Sequence, residues 1–97
     1  MSNLKKTEPK IILTSTDPCG DTVCLTDNTW AHIASGHPEV KKAGISRIGK
    51  TISRPFLIQQ NDRDAIIYVD QTSVNYYFNI ITHQNEALGI KLVTTAH

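Results

Sequence analysis

The chain has 97 residues, and its 10 basic side chains against 9 acidic ones leave a formal net charge of +1. This length suits one domain, because domains typically contain about 100–150 residues. No apolar run approaches the roughly 20 residues that a membrane-spanning helix needs. Coiled-coil, collagen-like, transmembrane and two-domain proteins are therefore excluded, and we expect no membrane partner.

The N-terminal residues 1–9 are polar and include Pro9, so we expect a flexible lead-in before a single domain over residues 10–97. This lead-in has no apolar stretch of the kind found in secretory signals. The two cysteines, Cys19 and Cys24, are too few for a disulfide framework and lack a second pair for zinc. We therefore expect a cytoplasmic protein with no metal ion and no cofactor.

The N-terminal half predicts a β-hairpin followed by short helices. Proline and glycine at 17–21 are typical of a turn, Thr26 or Asp27 can cap a helix, and Gly36 can end it. In chain order, the predicted elements are a strand at 11–13, a strand at 22–25, a helix that starts after Thr26 or Asp27 and ends at Gly36, a helical turn through Val40 and a helix at about 45–53.

The C-terminal half predicts a β-meander, because β-branched and aromatic residues alternate there with polar turns. The predicted strands are 56–58, 65–69, 75–82 and 88–95, with turns at 61–64 and 83–86. The fold class is therefore α+β, with an N-terminal β-hairpin and two to three short helices packed on a four-stranded antiparallel sheet.

Positive charge is concentrated in residues 41–54, which hold five of the ten basic side chains and no acidic one. Arg47, Lys50 and Arg54 lie within about 60° of one another on the predicted helix, opposite its isoleucines. A face of one sign favours a phosphate-bearing partner such as nucleic acid. A plain solvated helix face is the alternative.

Two histidines, His32 and His37, lie in and just after the first predicted helix. Their spacing of five places them about 140° apart on a helix, which does not predict a metal site. Either imidazole is a candidate proton carrier. A structural role for each, such as helix capping by His37, stays open.

The last predicted strand carries a second set of candidate residues. Strict alternation puts Lys91, Thr95 and His97 on one face of the sheet. An imidazole for proton transfer, with a lysine and a hydroxyl for the developing phosphorane charge, suits phosphodiester cleavage. The alternative is an exposed polar strand face.

These features resemble the small phage- and toxin-associated nuclease domains of the Barnase–EndoU–colicin–RelE superfamily. The resemblance runs from about Thr22 to His97. It rests on W-x-H-I-x-x-x-H-P-E at 30–39, the isoleucine-rich helix ending in S-R-P at 53–55, and V-T-T-A-H at 93–97. It implies a metal-independent ribonuclease that holds RNA in a cleft between its helical part and a four-stranded antiparallel sheet.

The resemblance also implies roles for individual residues. His32 or His37 is the expected acid–base group, and Thr95 supplies a hydroxyl to the phosphate. His97 stands where the family commonly has tyrosine. Four cations are expected to contact phosphates from charge alone: Lys91, Arg54, Arg47 and Lys50.

The expected function is RNA cleavage through attack by the ribose 2′-hydroxyl, with RNA and a cognate inhibitor or antitoxin protein as partners. One alternative is a non-catalytic module of the same fold that binds nucleic acid or protein. Another is a homodimer formed through an exposed region at Tyr76, Tyr77 and Phe78.

Overall fold

The computed structural model describes residues 8–61 and 64–97, which form six strands and three helices. In chain order they are β1 (Ile11–Thr16), β2 (Thr22–Thr26), α1 (Asp27–Gly36), α2 (Pro38–Ala43), α3 (Ile45–Ser53), β3 (Leu57–Gln60), β4 (Ile66–Ser73), β5 (Tyr76–Asn85) and β6 (Ile90–Ala96). Residues 1–7 of the predicted lead-in and 62–63 of the predicted 61–64 turn lie outside the described residues.

The described strands form one mixed sheet in the order β1-β2-β6-β5-β4-β3. The α+β class is confirmed, whereas the prediction of a four-stranded antiparallel sheet is wrong. The N-terminal hairpin does not stand apart, because β2 pairs in parallel with β6 through Val23–Lys91 and Cys24–Leu92. Val23 and Leu25 of β2 are fully buried, and a separate hairpin would expose such apolar side chains.

The helices begin and end close to the predicted residues. Thr26 caps α1, since its hydroxyl accepts a hydrogen bond from the Thr29 N–H at 3.4 Å. Pro38 is the first residue of α2, a position where its missing N–H has no helical partner. Gly44, at φ +90°, separates α2 from α3.

The core lies between the helices and one face of the sheet. On the helices, Ile33, Ile48 and Ile52 are fully buried, and Trp30 packs beside them. On the sheet, the members of this hydrophobic cluster are Val23, Leu25, Tyr68, Phe78, Ile80, Val93 and Ala96. Burial of each large apolar side chain contributes about 1.5–3 kcal/mol, so this contact fixes the helices on one face.

The last two strands meet at a turn several residues later than predicted. Polar His83 and Gln84 continue β5, which ends at Asn85. The Asn85 side chain accepts a hydrogen bond from the Leu88 N–H at 3.0 Å, and Gly89 adopts φ +68° to complete the turn. The predicted 83–86 turn is therefore displaced, because the polar side chains there lie on an exposed strand.

Within residues 8–61 and 64–97, no helix has the length and apolar character needed to cross a membrane.

Candidate functional site

His37 occupies the corner between α1 and α2. Its N–H donates to the Ile33 carbonyl at 2.8 Å, and its own carbonyl accepts from the Val40 N–H at 2.9 Å. The following Pro38 disfavours helical backbone at His37, whose φ is −136°. The sequence Gly36-His37-Pro38 therefore ends one helix, begins the next and leaves the half-buried imidazole at the bend.

His97 brings the end of the sheet to this corner. Its N–H donates to the Asn79 carbonyl at 3.0 Å, and its carbonyl accepts from the Asn79 N–H at 2.8 Å. The centres of the His97 and His37 rings are 5.9 Å apart, with the ring planes inclined by 33°. We call these two residues the histidine pair. It joins the helical half of the protein to its last strand.

A carboxylate lies beside the pair. Glu39 is in the first turn of α2, and its Oε2 is 3.4 Å from His37 Nδ1. A carboxylate at one ring nitrogen orients an imidazole and leaves the other nitrogen, Nε2, for proton exchange. The two-residue spacing between His37 and Glu39 makes this contact possible at the start of a helix.

Arg47 of α3 supplies a positive charge nearby. Its Nε and Nη2 donate to Asp70 Oδ2 at 3.2 and 2.9 Å, and its guanidinium lies 5.5 Å from the centre of the Phe78 ring. A guanidinium has five N–H donors. The remaining three make no hydrogen bond within residues 8–61 and 64–97, so Arg47 is held in place yet can still bind an anion.

A groove of about 300 Å³ lies between α2, α3 and the β4–β5 hairpin, and His37, which is not part of its lining, adjoins it through the His97 ring. Its lining includes Glu39, Arg47, Tyr76, Tyr77, Phe78 and His97. We call it the histidine groove. Tyr76 and Tyr77 are 70% and 49% exposed, whereas Phe78 is only 7% exposed. The predicted exposure of Phe78 in a dimer surface is therefore wrong, because Arg47 covers its ring.

A β-bulge changes the faces of the last strand. Thr82 pairs with Val93 and Ile81 with Thr95, so Thr94 is the extra residue. Its hydroxyl donates to the Ile81 carbonyl at 3.1 Å. Since Ile81 and Thr82 face opposite sides, Thr95 lies on the face without helices.

The predicted row of Lys91, Thr95 and His97 on one face is therefore wrong. Lys91 precedes the bulge and shares the helix-covered face with Val93. About 20 Å of strand separates Lys91 from His97, since each residue of a strand rises about 3.3 Å.

Lys91 instead belongs to a buried polar cluster at the far end of the strand. Its Nζ donates to Asp21 Oδ2 at 2.6 Å, and its side chain is only 13% exposed. Next to it, the Tyr68 hydroxyl donates to Asp17 Oδ2 at 2.6 Å, and the Cys19 and Asp21 N–H groups donate to Asp17 Oδ1. These contacts attach the β1–β2 turn to the sheet.

The contacts in this cluster shift the pKa values of Asp17 and Tyr68. Burial alone raises the pKa of the Asp17 carboxyl, but the hydrogen bonds from Tyr68, Asp21 and Cys19, with the charge of Lys91, hold that pKa below its usual value. Burial and the hydrogen bond to Asp17 raise the pKa of the Tyr68 hydroxyl. Asp17 is therefore a carboxylate and Tyr68 a neutral donor.

The other predicted residues lie outside the groove. His32 is exposed on α1, and its side chain makes no hydrogen bond, ion pair or ring contact within the described part of the chain. Lys50 and Arg54 are exposed on and just after α3. Of the predicted phosphate-binding cations, Arg47 alone lines the histidine groove.

Sequence reasoning missed Glu39, Asp70 and the position of the two tyrosines. The contact of Glu39 with His37 was predictable, because an acidic residue two positions after a capping histidine is close enough to reach its ring. The contact of Asp70 with Arg47 was not predictable, since it depends on how α3 crosses the sheet. Among the described residues, no three His, Cys, Asp or Glu side chains are grouped as metal ligands.

Comparisons with protein-family models, curated proteins and solved structures find no match to this chain.

Proposed function

We propose that the protein is a metal-independent ribonuclease that cleaves RNA by attack of the ribose 2′-hydroxyl on its own phosphodiester. The observation that carries the proposal is the histidine pair, whose ring centres are 5.9 Å apart. Both rings can reach one phosphodiester at that separation, because proton transfer needs N···O distances of about 2.6–3.2 Å.

The pair supplies the two proton transfers of this reaction. One imidazole removes the proton from the 2′-hydroxyl, and the resulting oxygen attacks the phosphorus. The other donates a proton to the 5′-oxygen as the P–O5′ bond breaks. The products are a 2′,3′-cyclic phosphate and a 5′-hydroxyl end. Glu39, beside His37 Nδ1, orients one of the two rings.

Arg47 supports the same reaction by binding the phosphate. A planar guanidinium with three available N–H donors can contact two phosphate oxygens at once. Asp70 and the Phe78 ring hold it at the groove. A fixed positive charge in the groove attracts the phosphate equally before and during attack, so Arg47 promotes binding of the RNA. We place this activity in the cytoplasm, where unpaired thiols such as those of Cys19 and Cys24 persist.

The test is cleavage of a 5′-labelled single-stranded RNA by the purified protein in excess chelator. We expect cleavage that leaves a cyclic phosphate, and none of a 2′-deoxy oligonucleotide of the same sequence. His37→Ala and His97→Ala should each lower the rate about 10²-fold or more. The absence of RNA cleavage at every pH from 5 to 9 contradicts the proposal.

His83→Ala is the matched control, because His83 is exposed on β5, four residues from Asn79. Four strand residues span about 13 Å, so this imidazole is remote from the pair. An equal loss of activity in His83→Ala and His97→Ala would show that the effect is not specific to the groove. RNA binding without cleavage would instead support the alternative that the protein is a non-catalytic nucleic-acid-binding module.

A further inference from the structure

A second groove lies on the sheet face that carries no helix. Its volume is about 360 Å³, within the size range of small-molecule sites. The lining residues are Phe56, Leu57, Gln59, Val69, Tyr77 and Asn79. We call it the open-face groove. No side chain in this lining is charged, so the groove suits a neutral ligand.

Two aromatic side chains line it while remaining largely exposed. Phe56 is 58% exposed and Tyr77 is 49% exposed. Single-stranded nucleic acids bind proteins by stacking their bases on such exposed rings. A planar heterocycle is the ligand that gains most from an aromatic wall.

Two amide side chains line the same groove. The Gln59 amide makes no hydrogen bond within residues 8–61 and 64–97, and Asn79 Nδ2 makes one at 3.4 Å, to the His97 carbonyl. An amide carries a donor and an acceptor side by side, which matches the edge of a nucleobase. Aromatic side chains beside amides that have unused donors and acceptors therefore favour a base over an aliphatic ligand.

The open-face groove adjoins the histidine groove. Tyr77 lines both, and Asn79 is hydrogen-bonded through its backbone to His97. The exposed cation Arg54 comes two residues before Phe56. A ligand that places a phosphodiester at the histidine pair can therefore place an adjoining base here, with a further phosphate toward Arg54.

We propose that the open-face groove binds an unpaired nucleobase next to the scissile phosphodiester, so that the substrate is single-stranded RNA. The link to cleavage rests on the proposed function, whereas the base site itself is tested by binding alone. A base held in a duplex cannot enter the groove, because its edge is paired and its faces are stacked.

The experiment measures fluorescence anisotropy of labelled 2′-O-methyl octanucleotides of A, U and C, which cannot be cleaved because their 2′-oxygen is blocked. Phe56→Ala and Tyr77→Ala should each weaken binding about tenfold, the loss expected for one stacked base. Gln59→Leu should change the relative affinities for the three sequences. The A·U duplex should bind the wild type and Phe56→Ala equally.

Leu88→Ala and Gln84→Leu are the matched controls. Both residues are exposed near the β5–β6 turn, at the other end of the sheet, and both variants should bind like the wild type. Since Phe56 and Gln59 are exposed, their replacement should leave folding intact, which thermal unfolding checks. Unchanged single-strand binding in Phe56→Ala and Gln59→Leu overturns the proposal.

Sedimentation tests whether a second copy of the chain, rather than a nucleobase, covers the open-face groove. If the wild type is a dimer and Phe56→Ala is a monomer, a second copy covers this face and the base site is refuted. The base site and the ribonuclease activity can fail separately. If octanucleotide binding depends on Phe56 but natural RNA is not cleaved, the proposed ribonuclease activity is refuted and the base site is supported.

Discussion

Arg47 on α3 donates two hydrogen bonds to a single carboxylate oxygen of Asp70 on β4. The contact joins a helix to the sheet directly at the histidine groove. It has two physical consequences, because the same guanidinium both fastens α3 and presents its remaining donors to the groove.

Replacing Asp70 by asparagine should weaken both effects. Asp70→Asn keeps the size of the side chain but removes its charge, so Arg47 loses its anchor. We expect a loss of about 1 kcal/mol in the free energy of unfolding, since both side chains are partly exposed and water screens the pair. Cleavage should fall about tenfold, mainly through KM, because Arg47 binds ground state and transition state alike.

Urea unfolding and steady-state cleavage measure the two quantities. Arg47→Lys keeps the charge but lacks the planar fork by which Nε and Nη2 donate to the same oxygen, so it should resemble Asp70→Asn. If Asp70→Asn lowered stability but left KM unchanged, Asp70 would be a structural residue only.

The rate of RNA cleavage should pass through a maximum as pH varies, because the mechanism uses one imidazole as a base and the other as an acid. One imidazole of the pair must be neutral and the other protonated, so activity declines on both sides. His37→Gln and His97→Gln should each remove one limb of the profile. A rate that is independent of pH in both the wild type and the variants would contradict acid–base catalysis by the pair.

The Tyr68 hydroxyl should contribute to stability through Asp17. Tyr68→Phe removes this donor from a buried carboxylate, which should lower the free energy of unfolding by about 1–3 kcal/mol. Tyr76→Phe is the matched control, since its side chain is 70% exposed. Equal unfolding midpoints in urea for Tyr68→Phe and the wild type would exclude this contribution.

Stability should also depend on pH through Asp17. The pKa of its carboxyl is lower in the folded protein than the usual 3.8 of an unfolded chain. The unfolded chain therefore takes up the proton first as the pH falls. The stabilisation is complete above about pH 4 and is lost as the pH falls further, through the folded-state pKa.

Asp17→Asn isolates this contribution from that of the other carboxyl groups. The difference in free energy of unfolding between wild type and variant should be largest near pH 7 and should shrink toward pH 2. The measurement is urea unfolding at a series of pH values. A difference that stays constant over that range would show that Asp17 does not titrate differently in the two states.

Local signals predicted the helices well. The bounds of α1 and α3 follow from Thr26, Gly36 and the break before Pro55, because each acts on the backbone next to it. The burial of Ile48 and Ile52 follows from helical periodicity in the same way. These features depend on a few neighbouring residues, and so the sequence is sufficient to place them.

Long-range pairing was not predictable in this way. Nothing near Val23 indicates that its strand will pair in parallel with the one containing Lys91. The bulge at Thr94 appears only when β6 is aligned with β5, and it is the reason that Thr95 and Lys91 lie on different faces. The sequence therefore indicated His37, His97 and Arg47 as candidates, whereas their grouping with Glu39 and Asp70 depends on long-range contacts.

The parallel pairing of β2 with β6 also determines when the fold can be completed. The two strands are far apart in the chain, so their contact closes a loop that contains all three helices and strands β3 to β5. Such a closure is entropically expensive and slow compared with hairpin formation. During synthesis β6 emerges after the other five described strands, and it carries both the edge that pairs with the N-terminal hairpin and the chain segment leading to His97. A nascent chain therefore has neither a complete sheet nor an assembled histidine pair, and both are acquired together after translation has passed β6.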